Sequence, residues 1–102
     1  AIASTLPSSG FWQRTNVSYP ADESPIMDVR FDSDDGRPHM VTSYTLNNGG
    51  RIHGEGYSDD GTTFYVKENG FDIVYRFDTR NHGSGTYNNT RGGTDNFEMK
   101  KL

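Results

Sequence analysis

Short alternations of apolar and polar residues, separated by Asn-Gly and Asp-Gly pairs about every 8 to 12 residues, run through most of the chain. Residues 26–32 alternate Met27, Val29 and Phe31 with charged residues, and residues 71–78 repeat the pattern. Because successive side chains of a strand point to opposite faces, both segments are predicted to be half-buried strands. The complete set of predicted strands is 11–19, 26–32, 40–46, 51–58, 62–68, 71–78, 85–89 and 96–101.

The turns between these strands favour antiparallel hairpins. Pairs such as Asp35-Gly36 and Asn69-Gly70 tolerate the positive φ of tight hairpin turns. We therefore predict an all-β fold, a single antiparallel up-and-down barrel of about eight short strands, since closure removes exposed sheet edges. A two-sheet sandwich is the alternative. With 102 residues the chain forms one domain, predicted over 10–102, preceded by a flexible N-terminal arm over 1–9.

Charge and composition exclude several partner classes. Ten basic and 14 acidic residues give a net charge of −4 without a basic stripe, so we expect no nucleic-acid partner. No run approaches the ~20 apolar residues of a membrane helix, so we expect no membrane insertion. The chain has no cysteine. Its richness in Gly, Asn, Thr, Ser and Tyr resembles that of secreted β proteins, and we expect a secreted or periplasmic location.

The chain carries no recognisable motif for catalysis, a cofactor or a metal. There is no Gly-x-Ser-x-Gly elbow, phosphate loop or His-Glu-x-x-His, and the Gly54-x-Gly56 segment precedes no predicted helix. The acidic segment 32–36 lacks the Glu of an EF-hand loop, because Ser43 stands at the twelfth position. We therefore expect no catalytic residue, no cofactor and no metal, and a non-enzymatic protein.

A polar face on the fourth predicted strand is the best candidate for an interior binding cluster. It carries Arg51, His53, Glu55 and Tyr57. If this face points inward, its side chains line up with Tyr44 and Tyr75. The opposite face, with Ile52 and two glycines, is nearly bare, so the alternation allows either face to be inside. A solvated polar face is the alternative to a binding cluster.

The segment Gly10-Phe-Trp12 at the start of the first strand resembles the Gly-x-Trp signature of calycins, the lipocalin and avidin-like barrels. The resemblance implies that Trp12 plugs one end of the barrel and that a basic side chain near the last strand, Lys100 or Lys101, packs over it. Because small closed barrels present a mouth and loops for recognition, we expect a small ligand or a protein to bind there. The candidate binding residues, taken from the polar-face alternation, are Tyr44, His53, Glu55, Tyr57 and Tyr75.

Two further resemblances give alternative functions. Leu6-Pro7-Ser8 ahead of Gly10-Phe-Trp12 looks like the entry of small barrel inhibitors of secreted metallopeptidases, and implies that the N-terminal arm enters a protease cleft. The order of Tyr57, Tyr65 and Phe71 is similar to the chitin-binding consensus of arthropod cuticle proteins, and implies binding to chitin or another matrix. A peptidase and a matrix polymer are therefore the alternative partners.

Overall fold

Eight antiparallel strands join edge to edge in a computed structural model that describes residues 6–16, 26–45, 49–68, 70–88 and 92–102. The strands are β1 Gly10–Asn16, β2 Ile26–Asp34, β3 Arg37–Thr45, β4 Arg51–Ser58, β5 Thr63–Glu68, β6 Phe71–Thr79, β7 His82–Asn88 and β8 Thr94–Lys101. None of the described residues forms a helix that could span a membrane.

Each strand pairs with the next one in the sequence, and β1 pairs with β8, so the sheet closes. The closing seam runs from Trp12 opposite Lys101 to Asn16 opposite Phe97. This confirms the predicted up-and-down barrel over the alternative sandwich. Some strands are longer than predicted. β3 begins at Arg37, because the turn is confined to Asp35 and Gly36, which have φ of 53° and 79°.

The two ends of the barrel differ in how the strands are connected. We call the end with the β2–β3, β4–β5 and β6–β7 hairpins the closed end, and the opposite end the loop end. At the closed end the interior is filled by aromatic rings packed edge to face. Trp12 lies 5.4 Å from Phe77, and Phe31 lies 5.3 Å from Phe77 and 5.4 Å from Phe64, measured between ring centroids. Such pairs add about 0.5–1.5 kcal/mol each beyond their burial.

Residues 6–9 lie across the closed end. The indole Nε1 of Trp12 donates a hydrogen bond of 2.9 Å to the Ser8 carbonyl, and the Ser8 amide donates to the Arg80 carbonyl at 2.9 Å. Leu6 packs against the apolar core and Pro7 is buried. This described part of the predicted arm is thus held against the barrel by its own polar groups, which find partners there. Residues 1–5 lie outside the described residues.

Candidate functional site

The structure separates the side chains that the polar-face prediction brought together. Tyr44 and Tyr75 point into the barrel and are buried. His53 and Glu55 lie on the outer wall, exposed, and Tyr57 lies there half-buried. The cluster predicted from these five residues is therefore not assembled in the interior.

The glycine face of β4 points inward, where the adjacent strand β5 leaves no room for a side chain. A Cβ atom at Gly54 would overlap the side chain of Glu68, and one at Gly56 would overlap the Tyr65 carbonyl. The polar residues that alternate with these glycines must then face solvent.

A different polar cluster occupies the interior at the loop end. At its centre is Glu68, of which only 1% is exposed. Thr42 Oγ1 donates to Glu68 Oε2 at 2.9 Å, and the Tyr44 hydroxyl donates to Oε1 at 3.0 Å. The Tyr75 hydroxyl also donates to Oε2. Three hydroxyl donors on one carboxyl group match the chemistry of a carboxylate, which only accepts hydrogen bonds.

Arg14 is the cation of this cluster and is 7% exposed. Its Nη1 donates to the Tyr44 hydroxyl at 3.2 Å. The guanidinium carbon lies 4.2 Å from the ring centroid of Phe97, 5.4 Å from that of Tyr87 and 5.7 Å from that of Tyr44. Desolvation lowers the pKa of Arg14, but electrostatic interactions with its neighbours outweigh it and raise the pKa overall. The guanidinium is therefore a fixed positive charge held between aromatic faces.

The tyrosines around Glu68 remain neutral donors. Burial, with the nearby Glu68 carboxylate, raises the pKa of both Tyr44 and Tyr75 above the ordinary value of 10.0. A phenolate beside the carboxylate would be doubly disfavoured, by low dielectric and by like charge. The hydroxyl groups can thus donate to Glu68 throughout the physiological pH range.

Less buried side chains surround this cluster at the rim of the loop end. Ile52 is the register partner of Tyr44 and is half-buried, and Phe71 is the register partner of Glu68 and 40% exposed. Tyr87 is half-buried. Burial raises its pKa, Arg14 lowers it and Asp95 raises it again, so the pKa of Tyr87 lies above its ordinary value of 10.0. We call this apolar rim above the polar cluster the mouth.

Sequence reasoning missed Arg14, Thr42 and Glu68. Each continues an apolar alternation: Arg14 follows Trp12 by two positions, Thr42 stands between Met40 and Tyr44, and Glu68 follows the apolar positions of β5. Their inward direction could thus have been inferred from the period of two. Assigning polar residues to the interior would have required knowing that the strands bring them together.

The remaining predicted residues lie elsewhere on the barrel. Leu6, Pro7 and Ser8 lie at the closed end, away from the mouth. Tyr57 and Tyr65 are register partners on the outer wall, whereas Phe71 is paired with the inward-facing Glu68. The three aromatic residues of the chitin-binding resemblance therefore do not share one surface.

A cluster of side chains around His39 lies on the outer wall. His39 Nδ1 lies 2.7 Å from Asp32 Oδ1, and His39 Nε2 lies 3.0 Å from Glu55 Oε2. The imidazole packs on the ring of Tyr57 at 4.8 Å. Partial burial lowers the pKa of His39, but the hydrogen bonds to Asp32 and Glu55 outweigh it and raise the pKa above 6.5. Within the described part of the chain no group of three or more His, Asp or Glu residues is arranged to hold a metal ion.

Comparisons with known proteins bear on the fold. No protein-family model and no curated protein matches the chain. A solved structure of a redesigned β-barrel is similar, with a TM-score of 0.63 and 13% sequence identity over 99% of this chain and 95% of that one. At such identity the likeness concerns the path of the chain alone. The protein therefore has the fold of a small, closed, eight-stranded antiparallel barrel.

Proposed function

We propose that this protein is a non-enzymatic binding barrel that takes a small ligand at the mouth. The observation that carries the proposal is the position of the polar cluster. Arg14, Glu68 and Asp95 are buried inside a mainly apolar barrel, at the end where the rim is apolar and partly exposed. Buried charges cost more in desolvation than apolar side chains of the same volume, so stability alone does not favour them here.

The cluster is also preorganised. Glu68 is fixed by three donors from two strands, β3 and β6, and Arg14 is held by aromatic rings and by the Tyr44 hydroxyl. A polar site whose side chains are already ordered loses little conformational freedom when a ligand binds. Placement on strands rather than loops adds to this rigidity.

Membership of a calycin-like group is part of the proposal. In its support, Trp12 fills the closed end and is the register partner of Lys101. A Cβ atom at Gly10 would lie 2.8 Å from Lys101 Cε, so this lysine lies against the first residue of the Gly10-x-Trp12 segment. We extend the proposal to a secreted or periplasmic location, on composition alone.

The experiment is a titration with the neutral fluorescent probe N-phenyl-1-naphthylamine, whose emission rises in apolar sites. Phe71→Ser removes a rim side chain, and Tyr65→Ser is the matched control, an aromatic residue that is 62% exposed on the outer wall. We expect the wild type and the control to bind equally, and Phe71→Ser to bind about 5- to 30-fold more weakly. Absence of binding by the wild type, or equal loss in both variants, would refute a binding mouth.

A second candidate function, inhibition of a secreted peptidase, is favoured by the anchoring of residues 6–9. Arg80 Nε donates to the Leu6 carbonyl at 3.0 Å and Ser8 Oγ donates to Asn81 Oδ1 at 2.8 Å, so the chain before Leu6 starts from a fixed point. Deletion of residues 1–5, which leaves these contacts in place, tests this mechanism in an inhibition assay against secreted metallopeptidases. Loss of inhibition supports it, and unchanged inhibition excludes the arm.

A further inference from the structure

A buried N–H donor of Arg14 lacks a partner within the part of the chain that the structure describes. The Arg14 Nε is fully buried and has no hydrogen-bond partner among the described residues, although Nη1 donates to the Tyr44 hydroxyl. Buried donors of native proteins are almost always paired, and a charged donor costs most when it is left unpaired. The unused donor is therefore the feature of the mouth that most calls for a ligand.

The acceptors at this end are already occupied, and they include the buried carboxylate of Asp95, which interacts with its register partner Tyr87. The Tyr44 hydroxyl accepts from Arg14 and donates to Glu68, and the Glu68 carboxylate accepts from three hydroxyl groups. A ligand that brings further donors would have to break these bonds. A ligand that brings an acceptor would complete the set at Arg14 Nε.

The dry, aromatic surroundings of Arg14 strengthen a hydrogen bond from its guanidinium to a charged acceptor. The guanidinium carbon is close to three aromatic ring centroids, of Tyr44, Tyr87 and Phe97, and is shielded from water. The Tyr44 hydroxyl lies between Arg14 and Glu68, since it accepts a hydrogen bond from Arg14 and donates one to Glu68. The two charged groups are therefore linked through this hydroxyl. In such a low-dielectric site a charge-assisted hydrogen bond to a carboxylate is stronger than one to a neutral carbonyl.

We infer that the ligand of the mouth is an organic carboxylate, whose acid group accepts from Arg14 Nε and whose apolar body lies against Ile52, Phe71 and Tyr87. This inference rests on the proposed binding function and names the ligand class for the same site. The three rim residues are apolar or aromatic and partly exposed, which suits a hydrocarbon or aromatic body.

Two probes of the same shape test the inference, naphthalene-1-carboxylate and naphthalene-1-carboxamide, each used to displace N-phenyl-1-naphthylamine. We expect the carboxylate to bind the wild type at least about tenfold more tightly than the carboxamide. The preference should vanish in Arg14→Gln. It should remain in Arg30→Gln, a control that removes the same charge from an exposed position on the outer wall.

A direct readout guards against misfolding of the Arg14 variant. In a ¹⁵N–¹H NMR spectrum of the wild type, the Nε–H signal of Arg14 should shift on addition of naphthalene-1-carboxylate and stay in place with the carboxamide. Equal affinity for both probes, a preference that persists in Arg14→Gln, or an unmoved Nε–H signal at saturation each overturns the inference. Binding of the naphthylamine probe in the same samples shows separately that the mouth itself exists.

Discussion

Replacement of Glu68 by Gln is the perturbation whose effect follows most directly from the structure. It keeps the shape of a side chain that is 1% exposed and removes the charge that Thr42, Tyr44 and Tyr75 share. A hydrogen bond to a charged group contributes about 1.5–3 kcal/mol and one between neutral groups about 0.5–1.5 kcal/mol. Three such exchanges therefore predict a loss of about 3 kcal/mol in the free energy of unfolding.

A loss of this size is a large part of the stability of a small domain, about 5–15 kcal/mol, yet it leaves the native state populated. The melting temperature should fall by about 12–20 °C for a chain of this length. Trp12, the single tryptophan, is fully buried and reports unfolding in urea by its fluorescence. The matched control is Glu98→Gln at an exposed position of β8, which should change stability by less than about 0.5 kcal/mol.

A double-mutant cycle extends this test to the cation. Glu68→Gln leaves Arg14 without its nearby countercharge, so Arg14→Met combined with Glu68→Gln should cost less than the two single losses together. A loss below about 1 kcal/mol for Glu68→Gln would refute the reasoning, because it would mean that the three hydroxyl groups do not depend on a charged acceptor. Strict additivity with Arg14→Met would refute the coupling.

Three further outcomes are expected. Because the pKa of His39 is raised, the stability that this residue contributes is complete below its unfolded pKa of 6.5 and is lost as the pH rises through its folded pKa. The difference in unfolding free energy between the wild type and His39→Gln, measured by urea titration, should therefore shrink between pH 6 and 9. A difference that stays constant over this range contradicts the prediction. Gly85→Ala places a Cβ atom against the ring of Phe97 and should destabilise by about 1–3 kcal/mol in the same assay, unlike an exposed substitution. Deletion of residues 1–9 removes the acceptor of the Trp12 indole and should move its fluorescence to longer wavelengths, whereas an unchanged spectrum would show that these residues do not cover it.

The architecture could be predicted because two signals agree along the chain. Alternation such as Met27, Val29, Phe31 assigns one face of each strand to the core, and paired turn residues such as Asp35-Gly36 set the order of pairing. Both are local properties that a single sequence shows. Strand ends were less well placed, since β7 begins at His82, three residues before its predicted start.

The candidate site was harder to predict because its polarity comes from contacts across the sheet. Gly54 carries no side chain, so the sequence gives no sign that its face is the inner one, and the space above it is filled by Glu68 from β5. Likewise, Arg14 lies two residues after Trp12 and so points to the same, inner face of β1. A sequence-based prediction nevertheless places a cation in solvent, unless aromatic partners such as Phe97 are known to surround it.

The seam between β1 and β8 has a consequence for how the chain folds. Seven strand pairs join neighbours in the sequence, whereas this pair joins Gly10–Asn16 to Thr94–Lys101. Its formation carries the largest loop-closure entropy in the barrel, so the hairpins are expected to form first and the seam last. The Leu102 amide donates to the Phe11 carbonyl at 3.0 Å, which brings the two ends of the barrel domain together. A circular permutant opened at Gly61 would make the seam a local contact, so we expect the seam to form earlier in the folding of the permutant than in that of the wild type.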